Sequence, residues 1–145
     1  IAPHIAAQHA GAAIELARIS SAYRELAAQA DVVIVEGAGG FKVPLNEKQD
    51  GAEMARQLGL PVIMVVGMRL GCLNHALLTA DAIAATGLNL AGWVANALDE
   101  PMLARHENIE TLQQRLAAPL IGVIEYQTRP DARALRLDVS GMGVP

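Results

Sequence analysis

Residues 32–40 constrain the fold of this chain more than any other stretch. Residues 32–35 are four consecutive β-branched apolar residues, a run typical of a strand buried on both faces of a parallel sheet. Glu36 follows at the predicted carboxyl end, where open α/β sheets bind their ligands. Three glycines in the next four residues let the backbone turn sharply and approach a bound group. The pattern suits a metal–phosphate site, and an ordinary β-to-α turn with a solvated glutamate fits it equally well.

Predicted strands and helices alternate along the rest of the chain. Strands are predicted at residues 32–35, 61–66, 90–95 and 120–124. Helices are predicted at residues 11–30, 51–58 and 73–85, and from Asp99-Glu100-Pro101 to about Leu116. This order is typical of right-handed β-α-β units. The fold class is therefore predicted to be α/β with a mainly parallel sheet.

Composition limits the classes of protein to which the chain can belong. Its 145 residues, 52% hydrophobic and 18% charged, predict one domain over residues 1–145 with a substantial core. Residues 128–145 have mixed polarity and are expected to form a loosely ordered tail. A net charge of −4 with few aromatic residues argues against a nucleic-acid partner. The single cysteine and the short apolar runs indicate a cytoplasmic protein without a membrane partner.

Residues able to bind a ligand follow each predicted strand. Glu36 follows the first strand, residues 68–74 the second, Asn96 the third and residues 125–127 the fourth. Because the carboxyl ends of parallel strands meet at one edge, we expect these residues to share one rim.

These strand-end motifs, in this order, resemble dethiobiotin synthetase. The most specific stretches are Leu70-Gly71-Cys72-Leu73-Asn74-His75 and Gly92-Trp93-Val94-Ala95-Asn96, and the similarity covers residues 1 to about 122. The resemblance implies a three-layer P-loop NTPase-like fold and a homodimer. It also implies a Mg²⁺- and ATP-dependent ligase that forms the cyclic urea of dethiobiotin from 7,8-diaminopelargonate and carbon dioxide.

The resemblance assigns roles to the residues that match the nucleotide site of that family. Glu36 would be a carboxylate of the magnesium site, and Gly37, Ala38 and Gly39 would border the nucleotide and the reacting groups. Asn96 and Ala97 would lie against the adenine edge, where an amide offers both a donor and an acceptor. From the residues alone, a turn or cap role is the favoured interpretation of Asn96.

Glu125, Tyr126 and Gln127 occupy the place where the family usually has a proline and a bulky apolar residue against adenine. Tyr126 could still stack on a purine. Glu125 in place of proline is a departure from the pattern.

Gly71, Cys72, Leu73 and Asn74 would bind the substrate carboxylate at a helix N-terminus, across the dimer interface of the family. Cys72 is then a packing residue or a backbone donor, and His75 a helix-end or interface group. The spacing of the other three histidines indicates no metal site.

The family's glycine-rich loop ending Gly-Lys-Thr, its catalytic lysine and its magnesium-binding aspartate do not appear in the sequence, and Lys42 and Lys48 follow the wrong strand to replace them. We therefore expect no catalytic residue within this chain, which would be the C-terminal portion of the enzyme and inactive alone.

Two alternatives remain. One is a related P-loop enzyme, either an amidoligase or the domain found in some phosphotransacetylases. The other is a non-catalytic paralogue that serves as a dimerisation or binding module.

Overall fold

The computed structural model describes residues 1–98 and 102–142. The chain divides into two compact units, one comprising Ile1–Leu60 and one beginning at Pro61. Their helices and strands are α1 Pro3–His9, α2 Leu16–Ala27, α3 Gly51–Leu58, β1 Val62–Met68, α4 Cys72–Ala85, β2 Leu90–Ala97, α5 Arg105–Arg115 and β3 Leu120–Ile124. Two short 3₁₀ turns follow at Ala132–Ala134 and Ser140–Met142.

The first unit contains three helices, of which α2 and α3 were predicted. Ser20 on α2 is buried and its hydroxyl accepts a hydrogen bond from the Gln57 amide on α3 at 2.8 Å. α3 ends as predicted at Gly59, whose positive φ of 68° is favourable for glycine. α1 was not predicted, although Pro3 occupies the first helical turn, where a missing N–H is tolerated.

The second unit is built on a parallel sheet of strand order β1-β2-β3. In the register, Met64 lies opposite Trp93, and Trp93 lies opposite Leu120. Helices α4 and α5 connect the strands in sequence. The predicted α/β class and parallel sheet are therefore confirmed.

The two faces of this sheet are covered differently. On one face Met64, Trp93 and Ala95 pack with residues of α4 and α5, including Leu112. On the other face Val94, Ile121 and Met142 form a smaller buried cluster. Because successive side chains of a strand point to opposite faces, β2 is buried on both sides.

The prediction of a strand at residues 32–35 is wrong. These residues are irregular, and Val32 and Ile34 are 76% and 88% exposed. A strand forms by pairing with another strand, and the described part of the first unit contains no named strand that could pair with it. β-branched composition alone therefore does not determine the conformation here.

β1 is a strand as predicted, but it is buried on one face only. Met64, Val66 and Met68 are buried, whereas Ile63 and Val65 are 45% and 62% exposed. β1 lies at an edge of the three-stranded sheet. The continuous apolar run did not reveal this difference, because sequence patterns do not report what covers each face.

The start of α5 also differs from the prediction. Asp99, Glu100 and Pro101, which we expected to open this helix, lie outside the described residues. α5 begins at Arg105, because Ala104 adopts a left-handed conformation with φ of 54° and ψ of 35°. A residue in that conformation cannot continue a right-handed helix.

The segment after Thr128 makes specific contacts with the sheet. The Asp138 amide donates to the Ile121 carbonyl at 2.7 Å, and Met142 is buried. A methyl group added to Gly122 would lie 2.5 Å from Leu137 Cδ2. The single domain over residues 1–145 and the loosely ordered tail stay predictions. Among the described helices, none has the length and apolarity needed to cross a membrane.

Candidate functional site

The carboxyl ends of the three strands bring most of the predicted site residues to one edge of the sheet. In the register, Met68 at the end of β1 lies opposite Ala97, and Asn96 lies opposite Ile124 at the end of β3. Residues 71–74, 96–97 and 125–127 therefore follow or end neighbouring strands at the same edge. The predicted rim is present for these three groups, all of which belong to the second unit.

A cleft of about 360 Å³ opens at this edge. Its lining includes all five residues predicted there on the adenine side: Asn96, Ala97, Glu125, Tyr126 and Gln127. Six further residues complete the lining: Leu98, Ile124, Pro130, Asp131, Ala132 and Leu135. Mixed apolar walls with a few polar groups are typical of small-molecule sites of this size.

The chemistry of the cleft fits a flat heteroaromatic group. Asn96 is half-buried and its amide can both donate and accept. Tyr126 provides an aromatic ring, while Leu98 and Leu135 provide apolar contact surface. An adenine base, which has a π-face and a donor–acceptor edge, meets these requirements.

Glu125, which departs from the family pattern, forms an ion pair. Its Oε2 lies 2.7 Å from Nη2 of Arg105, the first residue of α5. The ion pair therefore connects the residue after β3 to the start of α5, the helix that precedes β3 in the sequence. Sequence inspection gave no signal for this pairing, because the two residues are separated by a helix and a strand.

Residues 127–133 form a side chain-supported turn on one wall of the cleft. Gln127 Oε1 accepts a hydrogen bond from the Asp131 amide at 2.9 Å, and Asp131 Oδ1 accepts one from the Arg133 amide at 3.0 Å. Sequence reasoning missed Pro130, Asp131 and the residues that follow. A proline and an aspartate before a short helical turn are a recognisable N-cap signal that could have found them.

The predicted anion site lies at the N-terminus of α4. Gly71 is the N-cap with φ of 93°, and it supplies no side chain to cap the helix. The Cys72 amide donates to the Arg69 carbonyl, whereas the Leu73 and Asn74 amides have no backbone partner within residues 1–98 and 102–142. Free amides at a helix N-terminus favour an anionic group.

Cys72 and His75 have the surroundings that the sequence analysis favoured for them. The Cys72 side chain is buried, with its Sγ 3.9 Å from Asn108 Oδ1, and it packs in the main core. His75 is exposed on the first turn of α4. Both observations agree with packing and helix-end roles.

In the first unit, Glu36 is exposed and is followed by a compact turn. Gly39 has φ of 88°, and a Cβ at this position would lie 3.2 Å from Val43 Cγ2. The Val43 amide donates to the Gly40 carbonyl at 3.0 Å. The positive φ of Gly39 therefore favours glycine, and a Cβ at this position would press on Val43.

This turn continues into the start of α3 through a charged contact. The Lys42 ammonium forms an ion pair with Asp50, the N-cap of α3. The hydrogen bond from Lys42 holds the pKa of the Asp50 carboxyl below its ordinary value, against the opposing effect of desolvation. Lys42 thus has a structural partner here, in agreement with the view that it does not replace a phosphate-loop lysine.

Mg²⁺ requires oxygen ligands. Within the described ranges no three His, Cys, Asp or Glu side chains come together as a metal site. Glu36 offers a single exposed carboxylate. At phosphate sites Mg²⁺ is usually held by one or two carboxylates together with waters and the phosphates themselves, and Glu36 fits Mg²⁺ in that way only.

The comparisons with known proteins agree with the resemblance inferred from the motifs. The chain is 58% identical over 141 residues to the ATP-dependent dethiobiotin synthetase BioD of Aromatoleum aromaticum, covering 94% of this chain and 63% of that protein. It is 53% identical over 146 residues to the enzyme of the same name from Nitrosospira multiformis, covering 99% and 65%. It is 53% identical over 141 residues to that from a Janthinobacterium species, covering 96% and 60%.

The chain thus spans less than two thirds of the length of these curated relatives. A family model described as an AAA domain matches residues 1–133, nearly all of the chain. The chain therefore belongs to the AAA domain family of P-loop NTPases.

Proposed function

We propose that this chain is part of an ATP- and Mg²⁺-dependent dethiobiotin synthetase, a homodimeric enzyme of biotin biosynthesis in the cytoplasm. The observation that carries the proposal is the cleft that gathers Asn96, Glu125 and Tyr126 at the carboxyl ends of two parallel strands. The names of relatives that are 53–58% identical support the same activity.

In this proposal the cleft binds the adenine of ATP. Asn96 hydrogen-bonds the base edge with its amide, and Tyr126 lies against a face of the ring. Ala97 and Gln127 line the same cleft. A half-buried amide favours a base that satisfies both its donor and its acceptor, because an unpaired buried polar group costs free energy.

The N-terminus of α4 binds the carboxylate of 7,8-diaminopelargonate. Support comes from the Leu73 and Asn74 amides, which have no backbone partner in the described part of the chain, and from the positive end of the helix dipole. Gly71 and Cys72 contribute backbone to this turn. We further propose that the substrate bound here belongs to the second subunit's reaction site, so that the dimer is required for activity.

Glu36 contributes a carboxylate ligand to Mg²⁺, with Gly37, Ala38 and Gly39 beside the phosphates and reacting groups. Its exposure and the turn stabilised by Gly39 support this role. ATP transfers its γ-phosphoryl group to a carbamate formed from carbon dioxide and one substrate amine, and ADP is released. The second amine then attacks the carbonyl carbon of this mixed anhydride, and phosphate leaves as the cyclic urea closes. The residues of this chain bind and orient the reactants; the phosphate-loop lysine of the family has no counterpart in this sequence.

The test uses the complete protein with Asn96→Ala, and with Asn89→Ala as the matched control. Asn89 precedes β2 and lies outside the cleft. We expect Asn96→Ala to raise the Kd for Mg·ATP about tenfold, the effect of losing about 1.4 kcal/mol of hydrogen bonding. Asn89→Ala should bind like the wild type. Isothermal titration calorimetry measures both, and a dethiobiotin formation assay measures turnover.

Two results would contradict the proposal. One is a complete wild-type protein that binds Mg·ATP but forms no dethiobiotin from diaminopelargonate and bicarbonate. The other is an unchanged Kd for Asn96→Ala, which would place adenine somewhere other than the cleft.

A further inference from the structure

Glu125 lines the cleft but has little packing to hold its side chain. It is the first residue beyond β3, and its side chain is 63% exposed. Its ion-pair partner, Arg105, is more enclosed, with a side chain that is 32% exposed. The better-anchored member of the pair is therefore the arginine.

The backbone before Arg105 has an unusual conformation. Ala104 is the one non-glycine residue with a positive φ in the described part of the chain. Left-handed backbone is unfavourable for a residue with a Cβ, and such conformations persist only where the surroundings determine them. Here this conformation ends the connection from β2 and starts α5 at Arg105.

The position of Arg105 on α5 is also electrostatically unfavourable. It is the first residue of the helix, where the helix dipole is positive and disfavours a cation. The carboxylate of Glu125 at 2.7 Å offsets this repulsion. Two locally unfavourable features, the left-handed conformation of Ala104 and a cation at the positive end of the helix dipole, therefore meet at the residue that pairs with Glu125.

We infer that Arg105 is a positioning residue for the nucleotide cleft and that it acts through Glu125. Pairing holds the Glu125 carboxylate against the start of α5 and offsets its negative charge, which would otherwise oppose the binding of a nucleotide polyanion. It also holds in place the residue that leads into the wall containing Tyr126 and Gln127. The inference rests on the proposed function for the identity of the ligand.

The experiment compares Arg105→Met, Glu125→Gln and the double variant in the complete protein. Arg18→Met is the matched control. Arg18 lies on α2 and forms an exposed ion pair with Glu15, the N-cap of the same helix, at 3.5 Å. The KM and Kd for ATP should rise about three- to tenfold in Arg105→Met, with kcat within about twofold of the wild type. The double variant should bind ATP no more weakly than Glu125→Gln alone. Once residue 125 is glutamine, Arg105 has no carboxylate to pair with, so its removal should have no further effect. Arg18→Met should leave all three constants unchanged.

A readout independent of ATP separates the inference from the proposed function. In the unliganded complete protein, hydrogen–deuterium exchange of residues 125–131 should become faster in Arg105→Met than in the wild type, while exchange within α4 stays unchanged. Unchanged exchange in residues 125–131 overturns the inference whatever the ligand. The inference is also overturned if the losses of ATP affinity in the two single variants multiply in the double variant. A lower kcat with an unaltered KM in Arg105→Met would overturn it as well.

A wild-type protein that fails to bind ATP refutes the proposed function instead. In that case, faster exchange in Arg105→Met still supports the role of Arg105 in holding this wall.

Discussion

Asp50 and Glu53 satisfy each other's backbone amides at the start of α3. Asp50 Oδ1 accepts a hydrogen bond from the Glu53 amide at 3.0 Å, and Glu53 Oε2 accepts one from the Asp50 amide at 3.0 Å. This is a complete capping box. Asp50 also pairs with Lys42, so that one side chain connects the turn after Gly39 to the helix.

Asp50→Ala should destabilise the complete protein by about 1–2 kcal/mol, because it removes an N-cap bond together with the partner of Lys42. Urea denaturation measures the change. Glu47→Ala is the control, since Glu47 is exposed in the loop before this helix. Equal stability of the two variants would show that the cap contributes little.

Stability should also depend on pH through Asp50. Its pKa is lowered in the folded state, mainly by the hydrogen bond from Lys42, so its contribution is fully present above the unfolded value of about 3.9. That contribution is lost as the pH falls through the folded pKa. The difference in unfolding free energy between the wild type and Asp50→Asn should therefore shrink from pH 5 towards roughly pH 2. A difference that is constant over this range would contradict the lowered pKa.

Trp93→Phe should change stability by less than about 1 kcal/mol, whereas Trp93→Ala should cost about 3–5 kcal/mol. The indole is fully buried, and its Nε1 is the one buried side-chain nitrogen or oxygen without a hydrogen-bond partner in the described residues. Phenylalanine loses some packing but removes the orphaned donor, which offsets the loss. Thermal denaturation of both variants tests this, and similar melting temperatures for the two would refute it.

Gly122→Ala should destabilise the protein by about 1–3 kcal/mol. The added methyl would lie 2.5 Å from Leu137 Cδ2 and 3.1 Å from the Arg136 carbonyl oxygen. Gly141→Ala is the matched control, because its methyl would make ordinary contacts with Pro119 at 3.7–3.8 Å. Denaturant titration distinguishes the two variants. If Gly122→Ala were as stable as Gly141→Ala, the segment around Leu137 would not pack on β3 in solution.

Glu36→Gln in the complete protein should preserve the fold and remove most of the turnover, because the amide keeps the shape of the side chain but loses the charge that pairs with Mg²⁺. Steady-state turnover at several Mg²⁺ concentrations is the measurement, with circular dichroism to confirm folding. Full activity at saturating Mg²⁺ would refute the assignment of Glu36 as a metal ligand.

The sequence by itself determined the elements whose signals are local. α3 spans the predicted residues and is followed by Gly59 as predicted, and β3 has the predicted bounds. The parallel order of β1, β2 and β3 followed from the alternation of strands with helices. That alternation also sufficed to bring residues 96–97 and 125–127 to one cleft, because parallel strands end at the same edge.

The tertiary structure alone decided which apolar runs are buried and which distant charges pair. Residues 32–35 have the composition of a buried strand yet are irregular, and Val32 and Ile34 are exposed, since a strand requires a partner that composition does not specify. Likewise, Arg105 follows the left-handed Ala104 at the start of α5 and pairs with Glu125, which lies beyond β3. Both are long-range consequences of packing, whereas caps, turns and periodicity are encoded within a few residues.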